Sequence, residues 1–384
     1  MKTKMAFLVL LASLYFVTTV TANTGALQVR QSLSNSPIER SSNKSLEHSL
    51  NFITTSGNYT EGQDDLTLVM LSFNPKFKFN VSENFYIDVD TLMNLNSARS
   101  QSRYIPFQNN QFVLNELSAN YTLFNSIRLA GGSINQKHLH APLLIFEISF
   151  PGAAIFAEKK IGQYLSLGAK SQRLIPTSSS FDSQRTEEEE TPSFITNGIF
   201  LKYDKDDTKV LAQVNYYSFS SLPSIVAFRS KRLGNTVTGI EEGDSQFVFD
   251  FSGYSQSYYI QVPFNRNIDV AIDASIIENQ NAPAGNNRAQ MLKAALNLKN
   301  GKYNIVPSLG RFYAEPDVTP GFYNTPILGN NNRSGMIYSL RVENTQLNFA
   351  AQLNYIDAQT INNSAFQNDR IATEILVEML NVKF

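Results

Sequence analysis

Apolar and polar side chains alternate residue by residue through much of this chain. In the segment 268–276, Ile268, Ile272 and Ile276 share one side, and Asp269 and Asp273 lie on the other. A repeat of two is that of a β-strand, whose successive side chains point to opposite faces. The alternating runs are about nine to twelve residues long, which is near the length of a tilted membrane-spanning strand and exceeds an average soluble strand. The pattern predicts an all-β fold.

The connections between these runs alternate between short and long. Short, turn-forming connections lie at 81–84, 125–126, 160–162, 205–207, 265–267, 300–301 and 343–345. Longer segments, rich in Ser, Asn, Gln, Gly and Pro, lie at 56–65, 96–111, 135–142, 172–192, 220–244, 278–288, 315–334 and 358–369. Such an order is typical of antiparallel hairpins, and Asn300-Gly301 is a strong hairpin signal. It predicts about sixteen strands, with fourteen or eighteen as alternatives.

The polar face of the predicted sheet carries charges of both signs. A dozen charges would be costly in a dry interior, whereas the lumen of a membrane barrel is wet and its apolar face points outward. The sequence therefore predicts a transmembrane antiparallel β-barrel with long extracellular loops and short periplasmic turns. A large soluble two-sheet fold with solvated charges is the alternative. The predicted pore-lining residues are Lys76, Lys78, Asp88, Asp90, Glu116, Arg128, Lys202, Asp250, Asp269, Asp273, Lys293 and Arg341.

The first residues have the pattern of a secretory signal peptide. Lys2 and Lys4 precede a mostly apolar stretch, and Val20-Thr21-Ala22 supplies small or tolerated residues at a cleavage site. An uncleaved membrane anchor is the alternative. Beyond this stretch the chain has no run of about 18 apolar residues, so a spanning helix is not expected. The predicted division is a signal peptide at 1–22, a polar N-terminal segment at 23–45 and the barrel at 46–384.

The last predicted strand ends in an aromatic residue. Leu376, Leu380, Val382 and Phe384 share one face of it, which Glu378 interrupts. This resembles the terminal strand of bacterial outer-membrane barrels, which typically ends in Phe and serves as an assembly signal. With the export signal and the paired strands, the chain resembles a Gram-negative outer-membrane porin over its whole predicted barrel. The Pro-Glu-Phe-Gly type of motif found in the constriction loop of many general porins is absent.

The resemblance implies a function and a set of partners. The expected function is a water-filled channel for passive diffusion of small hydrophilic solutes and ions. The expected partners are outer-membrane lipid, lipopolysaccharide, the barrel-assembly machinery, periplasmic chaperones and further copies in a homotrimer. Because the segment 135–142 is short, the segments 172–192 and 220–244 are the expected constriction. A substrate-specific transporter or a surface-binding adhesin, each with an occluded lumen, is the alternative.

Composition excludes several other classes of protein. The chain has no Cys, which removes disulfides and thiolate chemistry. A net charge of −1 argues against nucleic acid as a partner. The three histidines, His48, His138 and His140, fit no recognisable catalytic motif. No enzymatic activity, cofactor or metal is therefore expected, and the spacing of His138 and His140 is attributed to chance.

Two charged groups have a structural and a functional interpretation. Lys76 and Lys78 lie on a strand paired with the one that carries Asp88 and Asp90. They could form cross-strand ion pairs, which we favour, or a transverse field across the pore. The acidic run Glu187–Glu190 is interpreted as part of a solvated loop, and the alternative is a site for divalent cations or a cation-attracting mouth.

Overall fold

The computed structural model describes residues 45–100, 110–146, 148–176 and 189–382. Sixteen antiparallel strands in this part close into one barrel, in which each strand pairs with its neighbours in the chain and the first strand pairs with the last. The predicted sixteen-stranded antiparallel barrel is confirmed. The barrel strands are β1 Leu46–Glu61, β2 Asp64–Asn80, β3 Phe85–Ser100, β4 Gln111–Leu123, β5 Ile127–Asn135, β6 Ser149–Ile161, β7 Leu165–Leu174, β8 Ser193–Lys205, β9 Thr208–Ser220, β12 Phe251–Asn265, β13 Ile268–Asn279, β14 Arg288–Asn300, β15 Tyr303–Ala314, β16 Arg333–Asn344, β17 Phe349–Thr360 and β18 Arg370–Val382.

The alternation in sequence separates an outer from an inner face. On β13, Ile272 and Ile276 point outward and are 42% and 45% exposed, whereas Asp269 and Ser275 point inward and are buried. The same division holds around the wall. Outward-facing apolar residues include Leu95, Leu129, Ile155, Leu167, Ile199, Tyr258, Leu292, Leu309, Leu340, Leu353 and Ile375. The outer surface is therefore the apolar band that a membrane barrel needs.

The seven short turns lie at one end of the barrel and the long loops at the other. Both ends of the described barrel lie at the short-turn end, where Leu46 pairs with Phe79. The expected long loop at 56–65 is wrong, because β1 and β2 continue through it and join by a two-residue turn at Gly62, which has a φ of 62°. Polar residues on both faces of this hairpin suggested a loop, yet the backbone of a strand pairs whether or not its side chains are apolar.

Three of the long loops fold into the barrel, and we call them together the loop plug. The loop plug consists of residues 136–146 and 148, 221–250 and 315–332. The second of these loops carries helix α1 (Ser224–Lys231) and a small hairpin of β10 (Val237–Thr238) and β11 (Gln246–Phe247). Leu139, Val226 and Tyr323, one from each loop, are buried in a single apolar cluster with inner-wall residues. In the described part of the chain, no helix is long and apolar enough to cross a membrane.

The loop plug explains why two strands begin later in the chain than the alternating pattern predicted. The expected strands 143–159 and 246–264 begin in the barrel wall only at Ser149 and Phe251. Leu143 and Leu144 are fully buried in the first loop of the plug. Apolar residues there contact the interior of the barrel instead of lipid, so their hydrophobicity does not mark a membrane-spanning strand.

The register of the last strand differs from the prediction. Leu376 and Glu378 are fully buried on the inner face of β18, whereas Ile375 and Met379 face outward. A β-bulge follows, because Met379 pairs with Phe52 while Val382 pairs with Leu50. Glu378 therefore does not interrupt the apolar face, since it points inward. Phe384, the predicted signal peptide and the segment 23–44 lie outside the described residues.

Candidate functional site: the charged cavity and the loop plug in the barrel lumen

The first loop of the plug reaches across the lumen. The backbone oxygen of Leu139 accepts hydrogen bonds from Gln213 on β9 and from Ser257 on β12, the latter at 3.3 Å. This loop begins in the predicted segment 135–142, which was expected to be too short to constrict the barrel. That expectation is wrong. The apolar residues that follow it extend the loop and provide it with side chains to bury.

The plug loops are also held to one another. Phe146 N donates to the backbone oxygen of Tyr323 at 2.8 Å, which joins the first loop to the third. The Asn235 amide donates to the backbone oxygens of Pro316 and Thr319, both at 2.8 Å, which joins the second loop to the third. These bonds satisfy backbone groups that water cannot reach. The expectation that the segment 220–244 folds inward is met.

Aromatic rings form the centre of the loop plug. Tyr323 lies edge-on to Phe150 with ring centroids 5.2 Å apart, and it stacks on Phe219 at 5.8 Å. Phe219 in turn stacks on Phe194 at 4.4 Å. Phe150, Phe194 and Phe219 come from the inner faces of three strands, so the third loop is packed against the wall. The loop plug narrows the lumen at the long-loop end.

A cavity of about 390 Å³ lies inside the barrel beside the plug. It is lined by the inner faces of β1 to β9 and by the first plug loop. It brings together seven of the twelve predicted pore-lining residues, from distant parts of the chain. These seven are Lys76, Lys78, Asp88, Asp90, Glu116, Arg128 and Lys202.

One wall of the cavity is acidic, and its carboxylates are hydrogen-bonded. Asp90 forms an ion pair with Lys76 at 3.1 Å and accepts from Asn74 at 2.5 Å. Asp88 accepts from the Asn120 amide at 3.2 Å, and Glu116 accepts from Ser118. Lys76 and Asp90 are thus a cross-strand ion pair, as the structural interpretation of these charges expects. Lys78 lies over the ring of Tyr86 on the same side of the cavity, at 4.4 Å.

The facing wall of the cavity is basic and aromatic. Arg128 lies over the ring of Phe156 at 4.2 Å from its centroid. Lys202 lies near Phe200 and is 3.6 Å from Glu158. Three carboxylates of the cavity thus come from β3 and β4, where Lys76 and Lys78 of β2 accompany them, and cations of β5 and β8 form the basic wall, where Glu158 pairs with Lys202.

Sequence reasoning missed Lys170, a central residue of the basic wall. It lies on β7, the last three residues of which were predicted to belong to a loop. A signal was present, because Lys170 shares the face of Ser166 and Gly168, opposite Leu167. Its ammonium donates to the backbone oxygen of His138 at 3.0 Å, so it also holds the first plug loop against the wall.

His138 and His140 are placed in the cavity by the first plug loop. Burial lowers the pKa of His140 to about 3 and holds that of His138 well below its usual range, with the Lys170 charge as a second cause for each. Both rings are therefore neutral at neutral pH. Among the described residues, no group of three or more His, Cys, Asp or Glu side chains is placed to hold a metal ion.

The remaining predicted pore-lining residues lie outside this cavity. Asp250 is exposed in the loop before β12, not on a strand. Asp269 forms an ion pair with Lys299 at 2.9 Å near the short-turn end, and Lys299 was also missed. Asp273 and Lys293 lie directly opposite each other on β13 and β14, with Lys293 buried on the inner face.

Arg341 pairs with a carboxylate that alternation had assigned to the wrong face. Its guanidinium lies 2.6 Å from Glu378 on β18. The side chain of Glu378 is almost fully buried and that of Arg341 is partly buried. The pair lies on the inner wall, so the twelve predicted residues include members of at least three separate charged groups.

Part of the acidic run has a structural role. Glu189 accepts a hydrogen bond from the backbone N–H of Ser224 at 2.8 Å, at the start of helix α1. Glu190 accepts from the Ser221 hydroxyl at 2.7 Å. These two carboxylates hold the second plug loop in place. Glu187 and Glu188 lie outside the described residues.

Comparison with known proteins establishes the fold. No known protein family matches the sequence, and no curated protein matches it significantly. The high-pH structure of OprB from Pseudomonas putida is similar over 88% of this chain and 94% of that one, with 9% identity and a TM-score of 0.57. OmpT with loop L8 deleted, an outer membrane protein of Vibrio cholerae, is similar over 88% of this chain and 100% of that one, with 7% identity and a TM-score of 0.52. The fold is that of the outer-membrane porins.

Proposed function

We propose that this protein is an outer-membrane channel of a Gram-negative bacterium, through which small hydrophilic solutes and ions diffuse passively. The observation that carries the proposal is the division of the barrel into an apolar outer band and an inner cavity lined by charged groups. A barrel of sixteen strands is wide enough for an aqueous passage. Charges on the wall of such a passage select among solutes.

The proposal includes an orientation and a set of partners. The long loops face the outside of the cell and the short turns face the periplasm, as in porins. Outer-membrane lipid and lipopolysaccharide surround the apolar band. The barrel-assembly machinery and periplasmic chaperones deliver the chain, and the broad apolar outer surface allows packing into a homotrimer. The segment 1–22 serves as the export signal. We propose no enzymatic role.

Single-channel recording tests the proposal directly. Purified, refolded protein in a planar bilayer under a salt gradient should show steady open-channel currents, because the lumen contains a cavity lined by charged side chains. The reversal potential then reports the preference for cations or anions. Protein that is folded, judged by heat-modifiable migration in gels, but produces no current would contradict the proposal.

A substrate-specific channel is the second candidate function, and the loop plug is the observation that favours it. Three loops that hydrogen-bond to one another leave less room than an open pore of the same strand number. A general diffusion pore should conduct ions steadily, with little effect of any single solute. A substrate-specific channel should instead show a small conductance that one class of solute blocks.

The predicted role of Lys76 and Lys78 can be tested by charge reversal. Replacing both with Glu should shift ion selectivity toward cations, because the two replacements together make the charge of the cavity more negative by four units beside Asp90. The reversal potential in a potassium chloride gradient measures the shift. Replacing the exposed Lys160 with Glu is the control for general charge effects. An unchanged reversal potential would place both lysines away from the narrowest part of the passage.

The predicted assembly signal can be tested by truncation. Deleting Phe384 should lower the amount of protein assembled in the outer membrane, because the terminal aromatic residue is expected to be read by the assembly machinery. Heat-modifiable protein in outer-membrane fractions measures assembly, and Phe384→Tyr is the conservative control. Equal amounts of the truncated and full-length barrels would remove this support for the assembly pathway.

A further inference from the structure

Two cations of the cavity have no carboxylate partner: Lys170, which is buried, and Arg128, which is half-buried. Lys170 is 6% exposed, and its ammonium donates to two neutral oxygens, His138 O at 3.0 Å and Gln213 Oε1 at 2.8 Å. An ammonium has three donors, so one is left over. Within the described ranges, no carboxylate lies within 4.0 Å of the ammonium of Lys170 or the guanidinium of Arg128.

Arg128 is likewise only partly satisfied. Its Nη1 donates to Asn120 Oδ1 at 3.3 Å, a neutral acceptor. Its Nε is buried and has no hydrogen-bond partner in the structure. The guanidinium lies over the ring of Phe156 in a cation–π contact. A buried charge without counter-charge is costly, and a cationic group held in this way is arranged to receive an anion.

The two cations lie side by side on the wall. Arg128 is directly opposite Phe156 in the β5–β6 pairing, and Phe156 is directly opposite Lys170 in the β6–β7 pairing. Two strand spacings put their backbones about 10 Å apart, with the aromatic ring between them. Lys170 is opposite Gly198 on β8, so no side chain covers it from that strand.

The rest of the cavity does not supply the missing negative charge. Glu158 is paired with Lys202, which is the third cation of this wall. On the facing wall, Asp90 is paired with Lys76, and Asp88 and Glu116 accept hydrogen bonds from neutral side chains. The basic wall therefore carries two positive charges in excess of its carboxylates.

We infer that Arg128 and Lys170 form a binding site for an oxyanion, which is the phosphate or carboxylate group of a small solute passing through the lumen. This inference rests on the proposed channel function and names the class of solute that the site selects. The guanidinium can bind two oxygens of one group, and the ammonium can bind a third or a second group. Phe156 and Phe200 offer apolar surface to the rest of the solute.

The test is calorimetric titration of refolded, detergent-solubilised protein with inorganic phosphate and, separately, with succinate, at low salt. Wild-type protein should bind at least one of these ions saturably. Lys170→Met and Arg128→Gln should each weaken binding by about tenfold or more, since each removes a charged hydrogen-bond donor. Arg128→Lys, which keeps the charge, should retain part of the affinity.

Lys299→Met is the matched control. It removes one positive charge from the inner wall, but Lys299 is paired with Asp207 and Asp269 and does not line the cavity. Binding in this variant should equal that of the wild type. Absence of saturable binding, or equal loss in all three charge-removing variants that migrate as folded barrels, would overturn the inference and leave Lys170 as a brace for the plug loop. Binding without conductance would contradict only the channel proposal, and conductance without binding would contradict only this site.

Discussion

Replacing residues 318–330 with a short Gly-Ser linker should raise the single-channel conductance several-fold. These residues form most of the third loop of the plug, and Tyr323 at their centre is packed on Phe150 and Phe219. Because β15 and β16 are neighbours about 5 Å apart, a short linker can close the gap. The ring cluster then loses its central member, and water can occupy the space that the loop filled. Planar-bilayer recording measures the change.

Trimming a loop that does not enter the lumen is the control. Residues 283–285 lie in the β13–β14 loop and are exposed at the rim of the barrel. Removing them should leave the conductance close to that of the wild type. If the plug deletion migrates as a folded barrel and still conducts like the wild type, the passage is narrowest elsewhere, and the charged cavity becomes the limiting segment.

Arg333→Met should destabilise the barrel by about 3 kcal/mol, since it breaks a buried ion pair and leaves its partners without a donor. The side chain of Arg333 is 1% exposed and forms an ion pair with Glu61 at 2.5 Å. It also donates to Thr360 at 3.2 Å and to the backbone oxygen of Asn368. These contacts join β16, the last loop and β1, so their loss weakens the closure of the barrel.

The free energy of unfolding can be measured by urea titration in lipid vesicles. The chain has no Trp, so circular dichroism or heat-modifiable migration is the suitable signal. Arg288→Met is the control, because Arg288 pairs with Glu278 at 3.4 Å and its side chain is 67% exposed. An exposed pair contributes less than about 1 kcal/mol. Equal losses in the two variants would show that burial of the Arg333 pair does not add to its strength.

The barrel wall was predictable because its signals are local. Alternation assigns each residue of a strand to a face from its immediate neighbours, and turn-forming residues mark the hairpins. Ile272 and Asp273 were thus assigned to opposite faces without any knowledge of the remaining strands. The wrong predictions lie where the same local pattern is compatible with both a strand and a loop. Polar residues in the β1–β2 hairpin resembled a loop, and apolar residues at 143–145 resembled a strand.

In the last strand, a β-bulge makes the faces of the final residues unpredictable from periodicity. An extra residue shifts every later side chain to the other face. The predicted apolar face joined Leu376 to Val382, but the bulge between Met379 and Val382 separates them. Glu378 lies before the bulge, on the inner face with Leu376, and it pairs there with Arg341 instead of facing lipid.

Local sequence patterns thus determined the number of strands and the two faces of the wall. They also determined most of the charges that reach the lumen. The loop plug and the cavity were decided by contacts between distant segments. Leu139 meets Ser257 from 118 positions away, and Arg333 meets Glu61 from 272 positions away. No periodicity encodes such pairs, because they exist only once the barrel has closed and its curvature brings separate strands to face one interior. For the same reason, most of the twelve charges could be assigned to the lumen, but only the closed barrel brings Lys76 and Asp90 to the same cavity as Lys202.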